Sequence, residues 1–416
     1  MTDAIKMYFK PRLITIFLFG FSSGLPLLLT LSTLSWWLSS VGIDKKSIGL
    51  FALVGAPYTF KPLWAPILDR TTLPLFGRLG RRRGWLLFIQ LMLAGSIILM
   101  GHSDPANDLK MTAIFALMVS FWSASQDIVI DAYRIEALKK EEFTAGGGVE
   151  VFGYRMGMII AGGVALGLSD LFSWEIVYLI MACFMSVGIL TTLICKEPVS
   201  SKRVDLSEKN GLNWIKHSII DPFLDFIKRP GWLLILTFIV FYRFGDNIIG
   251  QMATVFYREL GFTGTEVGTA TKTFGIWMVV VGGLVGGSIG FRIGIMKTML
   301  LAGFLHIISN GFFILLAIKG HSIPVLYMTV ISENISSGIM TSAFVAYLSR
   351  LCNISFSGTQ YALFSSLMAV TRVFVQTSSG WLADHFGWVN FFIFASIAAL
   401  PALFLLMYLI KKHPLD

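Results

Sequence analysis

Ser123-Ala-Ser-Gln-Asp127-Ile-Val-Ile-Asp131-Ala-Tyr-Arg134 ends an apolar run that begins near Met111 and is long enough to cross a bilayer. Ser123, Asp127, Asp131 and Arg134 follow one another at intervals of four, four and three, so on a helix they form one polar stripe. A soluble protein turns such a stripe to water. At membrane depth an ionised carboxylate costs roughly 2.5–3.5 kcal/mol on insertion scales and faces a bundle interior or a wet cavity. The stretch therefore predicts a polar pathway through a membrane.

Composition agrees. The chain has 416 residues, 55% of them hydrophobic and 14% charged, with a mean hydropathy of +0.74. Soluble domains carry about 25% charged residues. The net charge of +9 does not point to nucleic acid, because the basic residues lie mainly in short gaps between apolar runs, where orientation signals belong. Cys183, Cys195 and Cys352 show no paired spacing, so neither a disulfide nor a Cys-based metal site is expected. No cofactor is expected. The first apolar run, from about Leu13, lacks a small-residue cleavage site and is expected to stay as a span.

Twelve apolar stretches approach the ~20 residues needed to span a bilayer. They cover about 13–38, 47–68, 85–101, 111–134, 146–169, 173–195, 231–256, 264–289, 298–317, 322–348, 357–382 and 386–410. The gaps after even-numbered spans, with the two termini, hold 22 Lys and Arg. The alternate gaps hold five: Lys45, Lys46, Lys110, Arg258 and Lys319. Basic residues stay on the cytoplasmic side, so both termini are predicted there.

The longest gap, Lys196 to Pro230, divides six spans from six, and a short surface helix is expected around Leu212–Ile227. The predicted organisation is an N-terminal half (1–195), a cytoplasmic linker (196–230) and a C-terminal half (231–416). A faint repeat links the halves at offsets of about 214–219. Val41-Gly42-Ile43 matches Leu260-Gly261-Phe262, Ala132-Tyr133 matches Ala346-Tyr347, and Arg155 matches Arg372. The predicted fold is an all-α membrane protein of twelve transmembrane helices in two pseudo-symmetric six-helix halves. Such a repeat suits a secondary transporter with its solute site near midplane.

Ionisable side chains inside both halves mark the candidate site. Lys61 lies in span two, Arg155 in span five, Arg243 and Asp246 in span seven, Lys272 in span eight, Glu333 in span ten and Arg372 in span eleven. With the amide of Gln126, the cations and Asp246 form the candidate substrate-binding set. Arg243 and Asp246, three apart, either pair with each other or meet a ligand. Lys61 and Arg155 have no partner on their own helices; they either pair with a carboxylate elsewhere, Asp127 among them, or bind an anionic group.

Proton coupling needs a carboxylate that changes its preference between two environments. Desolvation favours the protonated form, and a neighbouring cation favours the ionised one. If an anionic solute captures a cation near Asp127, that carboxylate takes a proton, and solute and proton bind together. Depth makes Asp127 the first choice, with Asp131 nearer the cytoplasmic end and Glu333 as the second-half alternative. Asp131, Arg134 and Glu150 are also placed to close an inner gate by pairing. His306, alone at the middle of span nine, reads as a hydrogen-bonded packing residue. Trp36 and Trp37, at the outer end of span one, read as interfacial anchors, with stacking on a sugar ring as the rarer role. No phosphate loop, zinc-type His/Glu pairing or serine triad is present, so no enzyme is expected.

Several stretches resemble the AmpG-type muropeptide permeases of the major facilitator superfamily. They are Ser22-Ser-Gly-Leu-Pro26, Ile48-Gly-Leu-Phe-Ala-Leu-Val-Gly-Ala-Pro-Tyr-Thr-Phe-Lys61, Leu63-Trp-Ala-Pro-Ile-Leu-Asp-Arg70, Gly80-Arg-Arg-Arg-Gly-Trp85, the 123–132 stretch, and Gly153-Tyr-Arg-Met-Gly157. The resemblance implies an importer in the bacterial inner membrane, and a monomer is expected. Its cargo would be N-acetylglucosaminyl-1,6-anhydro-N-acetylmuramyl peptides, taken up with protons for peptidoglycan recycling. Asp69-Arg70, with Arg78 and Arg81–Arg83, is similar to the superfamily's signature loop, which implies a clamp between the halves. Some members carry two further spans, and none is found here. Related carriers keep a second reading open, transport of another anionic metabolite such as acetyl-coenzyme A or a nucleotide.

Overall fold

The structure is a computed structural model that describes residues 7–198 and 220–414. All regular structure among the described residues is helical. Nine helices among them are long and apolar enough to cross a membrane, and they cover nine of the predicted stretches. The stretch 322–348 forms the Ile323–Leu351 helix, which bends by 98° into the helix that follows. The stretch 357–382 is the first part of a helix from Ser357 to Lys412, which breaks at Gly387 (φ 68°, ψ 164°) close to the predicted boundary.

The stretch 47–68 differs from expectation. In place of one span, five short helical pieces run from Lys45 to Arg70. Pro57, Pro62 and Pro66 each stand at the first or second position of a new piece. A proline has no N–H to continue the ladder but fits the first turn of a helix, so the ladder restarts at each one. Span one keeps its helix through Pro26 and breaks at Leu31 (φ −113°, ψ −96°). Of the helix expected around Leu212–Ile227, the part before 220 lies outside the described residues; Asp221–Ile227 is helical.

The repeat is visible in the backbone. Leu109–Ala137 and Ile323–Leu351 are both 29-residue helices. Gly42 (φ 85°) and Gly261 (φ 82°) close their helices in the same left-handed turn. In each, the glycine N–H bonds three residues back, to Ser39 or Arg258, and the next N–H bonds five back, to Leu38 or Tyr257. Only a residue tolerant of positive φ closes this turn cheaply, which is why glycine marks the repeat.

The apolar core has an uneven shape. Its largest cluster joins both halves of the chain, packing Leu13, Phe19 and Tyr133 with Phe344, Tyr347 and Phe364. Met7 and Leu409 belong to it, so it sits toward the end of the bundle that carries the chain termini, here the terminal end. Toward the opposite, far end the core divides. Leu29, Trp37 and Tyr178 form one cluster, and Phe256, Phe313 and Phe391 another. The molecule is a wedge, closed at the terminal end and split at the far end.

Glycines make the closed seam tight. A methyl group on Gly147 would lie 2.6 Å from the Ser342 carbonyl oxygen, and one on Gly148 2.5 Å from that of Gly283. Without Cβ atoms the backbones of spans five, eight and ten meet directly. Gly153 and Gly157 do the same for span five against the carbonyls of Phe17 and Phe21 in span one.

Candidate functional site

At the terminal end, buried charges bridge the two halves. The fully buried Arg82 guanidinium holds Asp69 at 2.5 Å and Glu136 at 2.6 Å. Asp69 accepts from the backbone N–H and the hydroxyl of Thr359, both at 3.0 Å, and Ser357 donates to Glu136 at 2.8 Å. Thr359 lies in the first turn of its helix, where free N–H groups favour a carboxylate. Asp69 stands just beyond its predicted span. Burial alone would raise its carboxyl, but Arg82 and the Thr359 N–H hold it below the ordinary carboxylate value. Arg70 covers the ring of Phe356 at 4.8 Å.

One layer deeper, Arg134 is buried between Asp131, at 3.0 Å, and Glu150. From the other half, Ser349 lies at 3.4 Å from its guanidinium and the Tyr361 ring at 4.8 Å. The gating set of Asp69, Arg70, Arg134 and Glu150 thus comes together, and Asp131 joins it. Glu136, Ser357 and Thr359 escape sequence reading. A carboxylate at a helix end and hydroxyls at a helix start look like ordinary surface residues until the opposite half covers them.

A clasp holds the receiving turn in place. Asp225, on the helix Asp221–Ile227, accepts from Gln360 at 2.9 Å, from Asn353 at 3.0 Å and from Arg229 at 3.2 Å. Gln360 also donates to the Pro222 carbonyl at 2.9 Å, and Phe226 packs on Phe364 at 5.0 Å. The turn that presents Ser357 and Thr359 is thereby fixed from behind.

Two polar groups lie at mid-depth. In the first half, Ser23 donates to Asp127 at 2.5 Å, and Lys61 is buried within electrostatic range of both Asp127 and Asp131. In the second half, span seven breaks at Tyr242–Arg243 and restarts as Phe244–Glu259. Arg243 stands at that break and binds Asp246 through Nη2 at 2.5 Å and Nε at 3.0 Å. Arg155, from the first half, and Glu333 lie within electrostatic range of this pair. Arg155 forms no ion pair among the described residues; its guanidinium contacts Met158 Sδ at 3.7 Å. Beside Arg243 and Asp246 a cavity of about 300 Å³ opens between spans seven and eleven.

Other predicted residues fall elsewhere. Gln126 is fully buried, its Nε2 on the Ser22 carbonyl and its Oε1 on the Ser22 hydroxyl, both at 3.1 Å. Its amide is thus spent on Ser22, in the packing between spans one and four. Trp37 is buried and stacks on Trp174 at 5.5 Å, so it belongs to the core and is not an interfacial anchor. His306 is buried, but both ring nitrogens lack the expected hydrogen bonds among the described residues. The side chains of Lys272 and Arg372 lie outside the described residues.

Residues 13–375 and 240–416 match the family model of the Major Facilitator Superfamily. An "Anhydromuropeptide permease" of Escherichia coli (strain K12) is 41% identical over 405 residues, which cover 97% of this chain and 80% of that protein. Among solved structures, a proton:xylose symporter bound to 6-bromo-6-deoxy-D-glucose aligns with a TM-score of 0.68 at 11% identity, covering 96% of this chain and 94% of its own. A bacterial homologue of the iron transporter ferroportin in the outward-facing state aligns with a TM-score of 0.70 at 11% identity, covering 96% and 99%. At these identities the two structures speak for the fold alone.

Proposed function

The chain belongs to the Major Facilitator Superfamily, and from that membership we propose that it is a proton-coupled symporter that imports anhydro-muropeptides across the bacterial inner membrane for peptidoglycan recycling. It is a transporter, not an enzyme. The observation that carries the cargo is the 41% identity to an anhydromuropeptide permease over 97% of the chain. In this reading twelve spans form two six-helix halves, 1–195 and 231–416, joined by the linker 196–230. The protein acts as a monomer with both termini in the cytoplasm.

The wedge then faces the periplasm, and the buried charges at Arg82 and Arg134 form the closed cytoplasmic gate. Cargo enters from the split end and meets Arg155, Arg243 and Asp246 on one side and Lys61 on the other. A muropeptide carboxylate that draws Lys61 away from Asp127 leaves that carboxylate to take a proton, so both are carried together. Glu333, close to Arg155 and Asp246, is the second proton site. Opening inward requires the Asp69–Thr359 and Glu136–Ser357 bonds to part while the split end closes.

Uptake of labelled N-acetylglucosaminyl-1,6-anhydro-N-acetylmuramyl peptide into proteoliposomes tests this. Accumulation is expected only with acid outside and is abolished by an uncoupler. Uptake that ignores the gradient would remove symport; absence of any uptake would remove the cargo.

A further inference from the structure

The helix Asp221–Ile227, which carries the Asp225 clasp, is built inside out for a helix in water. Ile220, Phe223, Leu224 and Ile227 follow one another at intervals of three, one and three, so they share one face. Each of them keeps between 37% and 45% of its exposure. The opposite face is the one that meets the protein. Pro222 and Phe226 are buried there, and Asp225 accepts its three hydrogen bonds. Arg229, just past the helix, reaches both Asp225 and the Leu351 carbonyl. On a water-washed surface a helix turns its apolar face to the core and its polar face outward. Here the order is reversed.

The surroundings say what lies against the outward face. Span seven begins shortly after, at Trp232, and its first turn exposes Leu233 to the bilayer. The helix therefore sits at the level where headgroups meet acyl chains. Cations gather at the same place. Lys228 follows Ile227 directly and is exposed. The end of span twelve comes alongside: a methyl group on Gly231 would lie 2.9 Å from Nε2 of His413, which follows the exposed Lys411 and Lys412. The other acid of the helix, Asp221, lies within electrostatic range of Arg70.

We propose that this helix docks on the membrane leaflet at the terminal end. Its outward face enters the boundary between headgroups and acyl chains, and the ammonium groups of Lys228, Lys411 and Lys412 hold the phosphate of an anionic phospholipid. Apolar insertion and attraction to anionic headgroups add in helices of this kind. A zwitterionic phospholipid carries a cation beside its phosphate and gains less from three ammonium groups. A soluble anion gains nothing from the apolar face.

Docking bears on closure. Through Asp225 the same helix fixes the turn that presents Ser357 and Thr359 to Glu136 and Asp69. A lipid that anchors the helix therefore favours the closed terminal end, whatever cargo the protein carries.

The full chain in nanodiscs tests this. In a Cys183→Ser/Leu224→Cys variant, whose two other cysteines are buried, a nitroxide reports position 224. Its relaxation is expected to respond more to oxygen than to a water-soluble nickel chelate. The reverse order would put that face in water and overturn docking. The headgroup is read from distances between spin labels on the two halves at the terminal end. Adding phosphatidylglycerol to phosphatidylcholine discs is expected to raise the closed-to-open ratio about fivefold, the effect of one lysine at an anionic surface. The triple variant Lys228→Gln/Lys411→Gln/Lys412→Gln, altered only at exposed positions, is expected to lose that response. No response in the wild type, or an equal one in the triple variant, overturns the headgroup site. Inorganic phosphate that reproduces the response in pure phosphatidylcholine discs would make a free anion the ligand and overturn the lipid.

Discussion

Gln126 donates to the Ser22 carbonyl, the acceptor that Pro26, four residues further along, has no N–H to reach. The amide fills a gap that proline opens in its own helix, and its oxygen takes the Ser22 hydroxyl in return. This explains why span one stays helical through Pro26 and breaks only at Leu31.

The stability of span one therefore depends on span four. Gln126→Ala orphans two buried groups on Ser22, at about 1–3 kcal/mol each. A lowered thermal unfolding midpoint of the purified protein is expected, and Pro26→Ala in that background should recover part of the loss by restoring the helical N–H. An unchanged midpoint in the single variant would show that the amide does not bear this load.

In the closed seam the Asp69 carboxyl is held below its ordinary value by Arg82 and the Thr359 N–H. A depressed value means that its contribution to closure is complete above the ordinary carboxylate range and is lost as pH falls through the lowered value. Electron–electron distances between spin labels on the two halves at the terminal end should lengthen in acid for the wild type. In Asp69→Asn they should already be long at neutral pH and respond less to acid. Identical pH curves for both proteins would place the acid response elsewhere.

The clasp at Asp225 holds the turn that receives Asp69 and Glu136. Asp225→Ala removes three hydrogen bonds, two of them to Asn353 and Gln360, without touching either gate carboxylate. Labelling of a cysteine placed at Ser357 is expected to accelerate several-fold, as it would if about 1 kcal/mol of closure were lost. A labelling rate equal to that of the parent would leave the clasp without a role in closure.

At mid-depth, Asp127→Asn keeps the hydrogen bond from Ser23 within reach but removes the titrating oxygen. Gradient-driven accumulation should fall at least tenfold while facilitated exchange persists, the separation expected of a coupling group. Lys61→Ala should weaken uptake of a peptide with free carboxylates more than of its amidated form. Equal losses for both cargoes would assign Lys61 to packing.

Much of the architecture was legible because the bilayer imposes a simple rule on length and polarity. Apolar runs, basic gaps and the paired Gly42 and Gly261 turns report it directly. What was not legible depends on groups far apart in the chain. The proline-rich 47–68 reads as one hydrophobic span because hydropathy does not register missing N–H groups. Gln126 reads as a cavity amide because its partner, a carbonyl left open by Pro26, lies 104 residues away. Glu136, Ser357 and Thr359 show their partners only when two helix ends meet. Arg134 and Glu150 were singled out from sequence because charge at membrane depth demands a partner wherever it comes from, and Asp69 through its likeness to the signature loop.

The uneven core carries a cost of its own. In the import reading proposed above, letting cargo out on the side of the termini means prising apart interlocked aromatic and aliphatic side chains, from Phe19 to Phe364, before the two smaller clusters can fuse in exchange. In that reading an unladen molecule waits with its mouth toward the supply. Only a passenger that draws the distant rims together gives it reason to turn.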